Sequence, residues 1–103
     1  MKLVALYKQP ADPAAFDLAY FNTHLPLISK LPGLERTKIT RFTRTLMGEG
    51  LYMMAEMYFI DGSAIKAAMK SPEMAAAGEN LNSFAEGLVT LMFATEQEQP
   101  IER

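Results

Sequence analysis

The chain has 103 residues, half of them apolar and 21% charged, which is enough for one compact domain and too few for two. Ten Lys and Arg against twelve Asp and Glu leave a net charge of -2, without the positive field that nonspecific nucleic-acid binding relies on. The lack of cysteine excludes disulfides, thiolate nucleophiles, iron–sulfur clusters and cysteine-based zinc sites, and the single histidine, His24, excludes any metal site that needs two.

Lys8 and Gln9 break the apolar start before a signal-peptide core or a membrane span of about 20 residues forms, so a cytoplasmic protein without membrane contact is expected. No repeat or linker divides the chain, and residues 1–103 read as one domain. Lys2 to Lys8 is a run of strand formers, apolar on both faces like a central strand. Asp12 before Pro13 is a helix cap followed by a proline at the first helical position, where its missing N–H is harmless. Phe16, Tyr20, Phe21, His24, Leu27, Ile28 and Leu31 then recur at three- and four-residue spacing, until Pro32 and Gly33 stop the helix.

Leu34 to Arg44 reads as an edge strand guarded by Arg36, Lys38, Arg41 and Arg44. After a turn between Gly48 and Gly50, Leu51 to Ile60 is the strongest strand. Leu51, Met53, Ala55, Met57 and Phe59 lie on one face, with Tyr52, Met54, Glu56, Tyr58 and Ile60 on the other. Asp61 to Ser63 and then Ser71 with Pro72 cap two helical pieces, Ala64 to Lys70 and Glu73 to Ala85. Gly87 fits a helix C-cap, and Leu88 to Glu96 is a last strand.

Strand, helix, strand, strand, helix, strand is the ferredoxin-like βαββαβ order, an α+β fold with one four-stranded antiparallel sheet and both helices on one side. Helices on one side leave Met54, Tyr52 and Tyr58 bare, a patch of roughly several hundred Å². Two sheets packed face to face across a twofold axis cover it, so a homodimer is predicted.

Tyr20, Phe21, His24, Leu25, Pro26 and Leu27, followed by Leu31, Pro32, Gly33 and Leu34, form a motif of about 15 residues. It resembles the EthD-like family of small dimeric α/β-barrel proteins. The resemblance implies a barrel of two ferredoxin-like protomers, related to monooxygenases that work without a metal or bound cofactor and to polyketide cyclases and dehydratases. It also implies an association with bacterial breakdown of ether fuel compounds.

On the residues themselves, Tyr20 and His24 are four apart on one helix face, bringing an imidazole and a phenol together. Pro26 cannot donate to the carbonyl of Asn22 and biases Leu25 away from helical angles, so a kink is expected beside His24. The carbonyl so freed can fix the tautomer of His24, leaving the other ring nitrogen as a general base. The alternative is a structural histidine that locks helix to sheet. Glu56, a carboxylate inside an apolar strand, has to be paired or protonated, with Arg41 or Lys38 as cross-strand partners. Tyr7, Tyr52 and Tyr58, with Glu56 and the soft side chain of Met54, are the candidates for binding a small apolar or aromatic ligand.

No phosphate loop and no nucleophile elbow is present, and haem held by His24 would find only Arg41 and Arg44 for its propionates. The expected function is cofactor-independent oxidoreductase chemistry, monooxygenase-like, with His24 as general base and Tyr20 beside it. The substrate expected is a small aromatic or polyketide-like compound. The rival readings are a noncatalytic ligand-binding or auxiliary protein of a catabolic pathway and a polyketide cyclase or dehydratase.

Overall fold

A computed structural model of the chain describes residues 1–102; Arg103, the last residue of the domain read from the sequence, lies outside the described residues. Four strands, β1 (Lys2–Lys8), β2 (Leu34–Arg41), β3 (Leu51–Phe59) and β4 (Val89–Ala94), form one sheet in the order β2-β3-β1-β4, with every neighbouring pair antiparallel. This is the ferredoxin-like arrangement: β1 and β3 are central, and the basic strand β2 is an edge.

The helical segments are α1 (Pro13–Ala19), α2 (Leu25–Ile28), α3 (Gly62–Met69) and α4 (Pro72–Ala85), of which α1, α3 and α4 begin at a capping side chain. Asp12 accepts from the Ala15 N–H at 3.1 Å, Asp61 from Ala64 at 2.9 Å and Ser71 from Met74 at 3.1 Å. Gly87, at φ 78°, turns the chain from α4 into β4, in a region that side chains with a Cβ avoid.

Alternation along the strands decides which face meets the helices. Leu3, Ala5 and Tyr7 of β1 join Met53, Ala55, Met57 and Phe59 of β3 under the helices, and all seven are buried. Phe16 is the hub of the aromatic packing there, meeting Tyr7, Tyr52 and Phe84 edge-on with centroids 5.4 to 5.5 Å apart.

Three local expectations are corrected. β2 ends at Arg41 rather than Arg44, and α2 ends at Ile28, three residues before Leu31. Leu25 keeps helical angles, φ -60° and ψ -41°, despite the proline after it. The distortion at His24 takes the form of a widened, π-helical turn over Tyr20–His24, in which the Leu25 N–H donates to the Tyr20 carbonyl. A wider turn resolves the problem that Pro26 creates, because its ring would otherwise press on the carbonyl four residues back.

Candidate functional site

The π-helical turn places His24 and Tyr20 side by side, ring centroids 5.5 Å apart, with His24 3% exposed and Tyr20 1%. Nδ1 of His24 lies 3.1 Å from Oδ1 of Asn80 on α4. An amide oxygen only accepts, so Nδ1 carries the proton and the lone pair sits on Nε2. The fixing group is therefore a side chain of α4, not the backbone carbonyl expected beside Pro26. Burial pushes the His24 pKa down, and the Asn80 hydrogen bond opposes that in part, so the imidazole is neutral at pH 7.

Tyr7, Tyr20 and His24 line one apolar cavity of about 50 Å³ between the sheet and the helices. Leu3, Ala5 and Met57 form its floor, Met74, Ala77 and Leu81 of α4 its roof, and Gly78 and Leu91 lie at its edge. Burial holds the Tyr7 phenol far above its ordinary range, with Tyr20 beside it adding to the effect. Burial likewise pushes Tyr20 up to about 12, with the Tyr7 hydroxyl pulling the other way. Both phenols are hydrogen-bond donors throughout the neutral range. The cavity thus combines a neutral imidazole, two protonated phenols and an apolar wall.

Residues 8–88 match the EthD domain family model. The chain belongs to the EthD family. It is 34% identical over 98 residues to an uncharacterized 11.0 kDa protein in the thcB-thcC intergenic region of Rhodococcus erythropolis, covering 93% of this chain and 94% of that one. Its structure matches that of an ethyl tert-butyl ether D (EthD) family protein from Bacillus halodurans C-125, at 47% identity and a TM-score of 0.88, over 93% of this chain and 97% of the other. A variant of SnoaB, a cofactor-independent oxygenase from Streptomyces nogalater, superposes with a TM-score of 0.64 at 19% identity, over 97% and 96% of the two chains. That last likeness concerns the fold.

The other site residues expected from the sequence of this EthD protein lie elsewhere. Met54, Glu56 and Tyr58 are on the sheet face opposite the helices and line no part of the His24 cavity. Glu56 pairs with Lys2, not with Arg41 or Lys38, and accepts from the Tyr58 hydroxyl at 3.2 Å. Lys2 also reaches Glu96 at 3.0 Å, and these two carboxylates, Glu56 first, hold the Lys2 ammonium above its usual pKa. Arg36 and Lys38 lie over the Tyr58 ring instead, at 4.3 and 5.4 Å from its centroid.

Tyr52 changes face. The register of β3 against β1 shifts between Tyr7 and Lys8, and this bulge turns Tyr52 to the helix side, where its hydroxyl donates to Asp17 at 2.7 Å. Asp17 also holds Arg41 at 3.4 Å, and the Arg41 guanidinium lies 4.9 Å from the Phe21 centroid.

Asn80 and Phe84 went unnoticed in the sequence, yet Phe84 packs edge-on against His24 at 5.7 Å. A signal was present for Asn80. It interrupts the buried stripe of α4 that runs through Ala77, Leu81 and Ala85, and a lone amide beside such a stripe needs a polar partner. Among the described residues no three His, Asp or Glu side chains converge as a metal-binding group, and no helix is long and apolar enough to cross a membrane.

Proposed function

We propose that this EthD protein is a cofactor-independent oxidoreductase of the monooxygenase kind. In this reading Nε2 of His24 removes a proton from a small aromatic or polyketide-like compound bearing an acidic phenol or an enolisable carbonyl. The observation that carries it is the His24–Asn80 hydrogen bond at 3.1 Å inside an apolar cavity. It leaves a buried imidazole neutral, singly protonated on Nδ1 and free to act as a base on the other nitrogen.

The chemistry balances with dioxygen as oxidant. Nε2 takes a proton from an activated CH₂, and the carbanion's electron pair forms a C–O bond to dioxygen. The resulting peroxide takes up a proton to give a hydroperoxide, and loss of water leaves a ketone. One oxygen atom ends in the product and the other in water. Tyr20, protonated at neutral pH and next to His24, is the donor for the oxyanion that develops when the proton leaves.

The working unit in this reading is a homodimer. Leu6 and Met54 are register partners on the sheet face that no helix covers, flanked by Val4 and by Met92, which is 39% exposed. A second copy laid sheet to sheet covers that face.

The test is oxygen uptake with candidate anthrone-like and phenolic compounds, comparing wild type with His24→Asn. Oxygen consumption that is abolished in a folded His24→Asn variant supports the reading. Equal uptake in both proteins overturns the base. Product formation without oxygen consumption assigns a rearrangement of the cyclase kind instead.

A further inference from the structure

An apolar cavity that takes up benzene measures about 150 Å³. The His24 cavity, at about 50 Å³, is smaller, so a ligand that reaches Nε2 leaves most of its bulk outside. The cavity edge shows where that bulk goes. Gly78 lies in the middle of α4, where glycine is the least favourable residue after proline, and a Cβ built there meets no heavy atom within 4 Å. Packing does not demand a glycine at this position; its effect is to leave a gap at the edge of the cavity. Leu91, also at that edge, is 52% exposed.

A second concavity lies further along β4. Phe93 shares a face of β4 with Leu91, is 63% exposed, and walls a largely apolar groove of about 590 Å³ together with Met1, Gly62 and Ile65, with Ser63 and Lys66 as its polar lining. Leu3, part of the His24 cavity, is the cross-strand partner of Phe93. The two hollows are therefore neighbours along β1 and β4, one under α4 and the other beside α3.

We infer that the substrate is an elongated amphiphile: its acidic phenol or enolisable carbonyl sits at His24, and its apolar tail passes Gly78 and Leu91 to lie against Phe93. The head position rests on the proton-abstraction reading above, whereas the tail position stands on the shape of the two hollows. Gly78 is then a specificity-determining residue, because a bulky side chain there would narrow the mouth by which the tail leaves the cavity, whereas a single Cβ meets open space.

The experiment is calorimetric titration with two homologous series, para-alkylphenols from cresol to octylphenol and normal alcohols from butanol to decanol. Both series should tighten by about fourfold per added methylene until the groove is full. Phe93→Ser, at an exposed position, should flatten the slope in both series while leaving cresol unchanged. Gly78→Phe should weaken the long members by about tenfold or more, and Gly78→Ala should not. Affinity independent of chain length in both series, no binding by either, or an unaltered slope in Phe93→Ser overturns the tail position. A preference for phenols over alcohols that His24→Asn removes bears on the head alone, so the two readings fail separately.

Discussion

Nδ1 of His24 and Oδ1 of Asn80 stand 3.1 Å apart and join the π-helical turn to α4, the element that roofs the cavity. One bond thus sets both the tautomer of the candidate base and the seating of the helix above it. In the proposed reaction Asn80 is a positioning residue, and replacing it separates its two roles.

Asn80→Ala should lower kcat by about 10- to 100-fold, the usual loss when a group that orients a functional histidine is removed. The Asn80 hydrogen bond raises the His24 pKa against burial, so the acid limb of the pH–rate profile should move to lower pH in this variant. Asn80→Asp, which adds a negative charge, should move the same limb to higher pH. Profiles that coincide in all three proteins would reduce Asn80 to a structural contact.

Folding stability should fall on acidification because of His24. Its pKa is depressed in the folded state by burial, so below the usual value of about 6.5 the unfolded chain binds more protons. Stability is then complete above pH 6.5 and is lost as the pH falls toward the folded-state pKa, with a limiting slope of about 1.4 kcal/mol per pH unit for one proton. Urea melts between pH 7.5 and 5 should show this slope in wild type and a shallower one in His24→Gln.

Tyr20→Phe should leave the fold intact and reduce kcat by about 100-fold with little change in KM, as removal of one donor to a developing oxyanion does. With a pKa near 12, the Tyr20 phenol keeps its proton at working pH, so no ionisation of Tyr20 should appear in the rate profile below pH 10. A variant that retains full kcat would leave Tyr20 as packing only.

Leu6→Glu should convert a dimer into a soluble monomer, since it sets a carboxylate opposite Met54 in the centre of the uncovered sheet face. Light scattering at micromolar concentration reads the mass directly. A wild-type protein of monomeric mass would remove the sheet-to-sheet arrangement, while the helix-side cavity, built within one chain, would remain.

Local chemistry made most of the architecture legible. The caps at Asp12, Asp61 and Ser71, the stop at Gly87 and the alternation of β1 and β3 are each written within a few neighbouring residues, and each element appears where those signals put it. The same locality explains the misplaced details. Alternation counts residues in pairs, so the bulge opposite Tyr7 and Lys8, which adds one residue to one strand, sends Tyr52 to the helix side. Glu56 has Lys38 directly opposite in the register, yet it bonds to Lys2 on its other side, a choice that depends on which long side chain bends across the sheet.

What the sequence determined by itself was the order of elements, the sheet class, and the pairing of Tyr20 with His24 on one helical face. Only the tertiary structure decided how His24 is held, because Asn80 is 56 residues away in the chain and no local period links them. The widened turn belongs to the same category. Pro26 announces that the hydrogen-bond ladder must yield, but where it yields depends on how tightly Tyr20 and His24 are packed between sheet and α4.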